Sequence, residues 1–171
     1  VGKKILVTGG LCVFGGFVVR EVFKNGDSKE NITIPRSQEC DLRLHPNCDK
    51  VVFGQDLVVH LAAKVGGIGY NKENPASLFY DNAIMGIQLM ESARKAGVEK
   101  FLAVGTICSY PKFTPSPFRE EDFWNGYPEE TNAPYGLAKK MLAVQASAYR
   151  TQYNFNAVTL LPVNLYGPMD N

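Results

Sequence analysis

Short, continuously apolar runs alternate with amphipathic stretches along the whole chain. Lys3–Thr8, Asn31–Pro35, Asp56–Ala62, Phe101–Gly105 and Asn156–Leu161 are rich in Val, Ile and Leu. They lack the strict polar alternation of a half-solvated strand, which predicts strands covered on both faces. Gly15–Lys24, Pro75–Ala96 and Tyr135–Tyr153 carry helical spacing, and Asp41–Phe53 carries it more weakly. Asn25-Gly26, Gly97 and Asn154 follow these runs, and each type accepts the left-handed conformation that ends a helix. Pro134 opens the last one, where its missing N–H has no intrahelical partner to lose. Strand and helix in strict alternation predict an α/β fold with an open, doubly wound parallel sheet.

One long interruption stands out. Ser109–Ala133 contains prolines at 111, 115, 117 and 128 and leaves the carboxyl end of the fourth strand, the edge at which such sheets bind ligands. After the fifth strand, Asn164-Leu165-Tyr166-Gly167-Pro168-Met169-Asp170-Asn171 brings no closing element. The reading is therefore a sheet truncated after about five strands, with one edge uncovered.

Composition narrows the class. With 171 residues and 45% apolar content, the chain suffices for the core of one domain, residues 1–171. Lys plus Arg total 18 against 17 Asp plus Glu, without long runs of either sign, so neither a nucleic-acid nor an anionic-membrane surface is expected. Cys12, Cys40, Cys48 and Cys108 form no C-x-x-C pair and no zinc spacing with His45 and His60. No signal peptide and no apolar run of about 18 residues is present, and a cytoplasmic protein with free thiols is expected.

The richest chemistry lies at the first strand-to-helix turn, Gly9-Gly10-Leu11-Cys12-Val13-Phe14-Gly15. Glycines there let backbone approach a dinucleotide pyrophosphate, and the helix start offers unpaired N–H groups. A T-G-x-x-G-x-x-G spacing would put glycine where Cys12 stands, which predicts a displaced or weakly held cofactor. At the end of the second strand Arg36 occupies the region of the ribose-gripping acid and suits a 2′-phosphate, favouring NADP(H). A solvated surface role for Arg36 remains the alternative.

Tyr135 and Lys139 lie four residues apart on one helix, so they share a face. A nearby ammonium lowers the phenol pKa, and such a tyrosine can pass a proton to a carbonyl oxygen. Thr106, just past the fourth strand, either hydrogen-bonds the same oxygen or caps a turn. Cys108 is either inert packing or a base. His60 reads as a core residue. Asn82 bonds backbone near the site or faces solvent.

Together, Thr8-Gly9, His60-Leu61-Ala62-Ala63, Thr106 before Tyr110-Pro111, Tyr135-x-x-x-Lys139 and Leu161-Pro162-Val163-Asn164-Leu165-Tyr166-Gly167-Pro168 resemble the extended short-chain dehydrogenase/reductase family. The strings Ala63-Lys64-Val65-Gly66-Gly67-Ile68 and Thr106-Ile107-Cys108 resemble its branch that converts GDP-4-keto-6-deoxy-D-mannose to GDP-L-fucose. The resemblance implies a Rossmann-like domain and an NADPH-dependent 3,5-epimerase/4-reductase that is a homodimer at full length. It implies that Gly9–Gly15 hold the pyrophosphate, that Ala62 and Ala63 contact the cofactor, and that Val104, Gly105, Thr106 and Ile107 together with Pro162, Val163, Asn164 and Leu165 line the nicotinamide side. Thr106, Tyr135 and Lys139 become the reductase triad, Lys139 also bonds the ribose, and Cys108 becomes the epimerisation base. The partner acid, a histidine, and the substrate domain would lie beyond Asn171, leaving this chain inactive alone. Another nucleotide-sugar epimerase or dehydratase of the family, or a non-catalytic dinucleotide-fold protein, are the competing readings.

Overall fold

The structure, a computed structural model, describes residues 2–25 and 28–168. Gly26 of the anticipated first helix end and Met169-Asp170-Asn171 lie outside the described residues. Five parallel strands, β1 (Ile5–Thr8), β2 (Ile32–Thr33), β3 (Leu57–His60), β4 (Lys100–Val104) and β5 (Ala157–Leu160), form one sheet in the order β2-β1-β3-β4-β5. The helices are α1 (Val13–Lys24), α2 (His45–Val52), α3 (Ile68–Glu73), α4 (Pro75–Lys95) and α5 (Ala133–Tyr153).

Alternation along each strand sends side chains to two cores. Leu6, Val58, Phe101 and Ala157 pack with Cys48 and Val52 of α2, Leu89 and Met90 of α4, and Leu142 and Ala146 of α5. Ile5 and Val7 face the other way, against Val19, Val22 and Phe23 of α1. Both faces of the sheet are thus covered, as the continuous apolar strands require. Register aligns Thr8, His60, Ala103 and Thr159 across the carboxyl ends of four strands.

Three boundaries differ from expectation. β2 pairs over only two residues, because Pro35 has no N–H to extend the ladder. The weak Asp41–Phe53 pattern becomes a helix only from His45, since the Asp41 carboxylate accepts from the Arg43 N–H at 3.0 Å and folds a local turn first. α3 was hidden by Gly66, Gly67 and Gly69. The long proline-bearing segment is also more ordered than a plain loop: a short 3₁₀ turn at Ile107–Ser109 leads into it and it contains another at Glu120–Trp124. Tyr110 stacks at 5.1 Å on both Phe118 and Phe123 to hold it.

Candidate active site

β1 ends in Gly9, at φ +72°, and its backbone lies so close to the β3 exit that a Cβ would sit 2.8 Å from the Ala62 nitrogen. Gly15 packs back on this turn, where a Cβ would meet the Gly9 oxygen at 2.1 Å. Only glycine fits either place. Cys12 adopts an ordinary extended backbone (φ −77°, ψ 170°), so the turn accommodates it without distortion. Its Sγ folds back and accepts from the Gly15 N–H at 3.3 Å, acting as the cap of α1. The N–H groups of Val13 and Phe14 keep no acceptor among the described residues. The helix start can therefore receive phosphate oxygens, with the Gly15 donor engaged by sulfur. With the turn undistorted, a displaced or weakly held cofactor remains the expectation, now resting on the sulfur and its hold on the Gly15 N–H.

This turn forms one wall of a groove of about 1020 Å³. Thr8, Gly9, Leu11, Cys12 and Phe14 line it, Arg36 stands on its rim, and Ala62, Ala63 and Tyr135 complete the inner end. Arg36 is exposed and its side chain has no ion-pair partner among the described residues. The groove suits a dinucleotide: bare backbone and free N–H groups meet phosphates at one point, and an unengaged guanidinium faces it at another.

The reacting end is assembled by α5 and the turn after β4. Thr106 Oγ1 accepts from the Cys108 N–H at 3.2 Å, capping the Ile107–Ser109 turn. Both readings of Thr106 survive, since a capping hydroxyl still has its proton to donate. Gly136 lets α5 lie directly on this turn: a Cβ there would meet the Cys108 carbonyl oxygen at 2.3 Å. Ser109 Oγ donates to the Gly136 oxygen at 2.7 Å. Cys108 and Tyr135 are consequently neighbours, close enough for the thiol to influence the phenol.

Electrostatics at this end reverse one expectation. Burial, reinforced by Cys108, pushes the Tyr135 phenol up to about 12, not down. Lys139, only 3% exposed, is itself drawn down to about 8 by burial and makes no hydrogen bond or ion pair among the described residues. Desolvation outweighs attraction because the two groups are not hydrogen-bonded to each other, Lys139 is buried and Tyr135 is largely covered where it meets the groove. The phenol is therefore fully protonated at neutral pH.

His60 is a core residue: its Nδ1 lies 2.8 Å from Thr8 Oγ1, and burial pulls it down to about 3, with a smaller push from Lys139. Thr8 Oγ1 also accepts from the Ala62 N–H at 3.3 Å, fixing the β3 exit. Asn82 bonds backbone near the site: Oδ1 accepts from the Lys64 N–H at 2.9 Å and Nδ2 donates to the Lys64 oxygen at 2.8 Å. Two groups went unread in the sequence, Asp81 and Lys140. Asp81, 5% exposed, accepts from Lys64 Nζ at 2.7 Å and Arg43 at 3.4 Å, bracing the wall opposite the glycine turn. Its signal was only an acid beside Asn82 on a helix.

Cys108, Lys139, Val104, Gly105, Thr106, Ile107, Pro162, Val163, Asn164 and Leu165 are not among the groove-lining residues, nor are Gly10, Val13 and Gly15 of the turn. The residues from 104 to 107 and from 162 to 165 belong to the strand exits. They leave the adjacent ends of β4 and β5, where the Gly105 N–H donates to the Leu160 oxygen at 2.7 Å. Val163, Asn164 and Leu165 are exposed.

Comparison with known proteins supports this geometry. A GDP-L-fucose synthase of Sinorhizobium fredii is 36% identical over 171 residues, covering 99% of this chain and 54% of that protein. A GDP-L-fucose synthetase from Naegleria fowleri bound to NADP superposes with a TM-score of 0.85 at 29% identity, covering 100% of this chain and 54% of that one. A GDP-mannoheptose C4 reductase from Campylobacter jejuni with NADP bound gives 0.93 at 26% identity, covering 99% and 54%. The chain spans about half the length of the relatives it matches. Residues 5–171, nearly the whole chain, match the NAD dependent epimerase/dehydratase family, and the chain belongs to that family.

Proposed function

We propose that this chain is the dinucleotide-binding portion of an enzyme that converts GDP-4-keto-6-deoxy-D-mannose to GDP-L-fucose with NADPH, by epimerisation at C3 and C5 followed by reduction at C4. The observation that carries the reading is that Tyr135 and the glycine turn open onto one groove, with Arg36 on its rim. The relatives named as GDP-L-fucose synthases and GDP-sugar reductases support the substrate class.

NADPH would be held by Gly9–Gly15 at its pyrophosphate, by Arg36 at its 2′-phosphate and by Lys139 at its ribose, and when bound it supplies the hydride for C4. The C4 ketone acidifies the C–H bonds at C3 and C5. Cys108 takes a proton from carbon as the base, and Tyr135 and Thr106 hydrogen-bond the oxygen on which charge develops. Reprotonation by an acid on the opposite face inverts each centre. In the reduction Tyr135 would give its proton to O4. A phenol raised to about 12 is in the form this step needs.

A C4 reductase without epimerase activity is the second reading, favoured by the Campylobacter structure; Cys108 beside Tyr135 favours the first. The test is product analysis with a protein carrying this chain at its relatives' length. GDP-L-fucose is expected, with turnover lowered about 10²-fold or more by Tyr135→Phe while NADPH still binds. A C4-reduced product without inversion would select the second reading, and unchanged turnover in Tyr135→Phe would remove both.

A further inference from the structure

Lys140 follows the buried Lys139 on α5 but serves a different set of groups. It is 7% exposed. Its Nζ donates to the Ser109 oxygen at 3.3 Å and to the Phe123 oxygen, and lies 4.6 Å from the Phe123 ring centre and 4.8 Å from that of Trp124. No carboxylate pairs with it among the described residues. An ammonium taken out of water without a counter-charge is costly, and a methionine of similar length would fill the space. What the charge achieves is to join two carbonyls from separate parts of the long segment after β4, with two aromatic faces completing the shell.

Ser109 is held twice. Its oxygen accepts from Lys140 while its hydroxyl donates to the Gly136 oxygen at 2.7 Å. These bonds reach opposite ends of the residue that follows Cys108, and both originate on the helix that carries Tyr135. We propose that Lys140 is a positioning residue: it latches the Ser109–Trp124 segment to α5 and so sets the separation between Tyr135 and the Thr106–Cys108 turn. Its importance to catalysis rests on the reading of Tyr135 and Cys108 given above. The latch itself does not.

The chain reports on this latch without substrate. Trp124 is the only tryptophan, so its emission follows the Phe123–Trp124 end. Cleavage after lysine and arginine places Cys108 alone in the peptide 101–112 and exposed Cys12 in the peptide 5–20, so iodoacetamide labelling of Cys108 can be normalised to Cys12. In Lys140→Met the Cys108-to-Cys12 labelling ratio is expected to rise roughly tenfold as the turn opens more often, with a change in Trp124 emission. Lys140→Arg, which keeps charge and donors, should bring the ratio back toward wild type. An unchanged ratio in a folded Lys140→Met chain overturns the proposal, even if Trp124 emission moves, since the latch would then not reach Cys108. Should Lys140→Met not fold, Lys140→Gln decides by the same ratio. A raised ratio in Lys140→Met together with an unsubstituted full-length protein that shows no activity would keep the latch and remove the catalytic reading, so the two failures are distinguishable.

Discussion

Replacing Lys139 by methionine should stabilise the chain while impairing its chemistry. The residue is 3% exposed, its ammonium has no hydrogen-bonding partner among the described residues, and it is drawn from 10.5 to about 8 by burial. At about 1.36 kcal/mol per pH unit, holding that charge inside costs roughly 3 kcal/mol at pH 7. The folded value lies below the unfolded one, so between about 8 and 10.5 the unfolded chain binds the extra proton and stability rises with pH. The penalty is full below pH 8 and fades above it. Lys139→Met, of similar length and uncharged, should therefore gain roughly 3 kcal/mol at pH 7 but only about 1 kcal/mol at pH 9.5. Urea unfolding of both chains at the two pH values, without ligand, measures this, and an NADPH titration should show weakened binding. A variant no more stable at pH 7, or a gain that does not shrink with pH, refutes the reasoning. The wider meaning is that Lys139 is a group kept for what it binds, at the expense of the fold.

Cys12→Gly removes the thiol cap, which should lower stability by only about 0.3 kcal/mol because glycine is itself a tolerated N-cap, and frees the Gly15 N–H, which should tighten NADPH roughly tenfold. Unchanged affinity in a fluorescence titration would show that this N–H is not a phosphate donor. Gly136→Ala forces α5 off the Cys108 carbonyl. Overpacking costs about 1–3 kcal/mol and helix propensity returns about 1 kcal/mol, so a small net loss in urea unfolding is expected, with a much larger fall in turnover of the full-length enzyme. A variant with full turnover would show that the Tyr135–Cys108 spacing is not critical.

Much of the architecture was legible because the strands are buried on both faces: unbroken apolar runs located all five, and Asn154 indeed closes α5 at φ 53°. β2 was overdrawn since Pro35 limits pairing in a way apolar content does not reveal. At the site, the glycine turn and Tyr135 could be read from spacing, and their meeting in one groove follows from parallel topology, which brings every strand's carboxyl end to one edge. The direction of the Tyr135 shift could not be read, because helical spacing states proximity and says nothing about water. Lys140 was equally hidden. In the sequence it is one of two adjacent lysines, and only the folded segment after β4 supplies the carbonyls and rings that distinguish it.

The central claim is that the groove between the glycine turn and Tyr135 takes a dinucleotide whose 2′-phosphate meets Arg36. Parallel titrations of this chain and of Arg36→Ala with NADPH and NADH test it most directly. The account predicts that the unsubstituted chain prefers NADPH by roughly tenfold or more and that Arg36→Ala removes the preference while leaving NADH binding unchanged. Equal affinity for the two nucleotides, or a preference that survives the substitution, would contradict it.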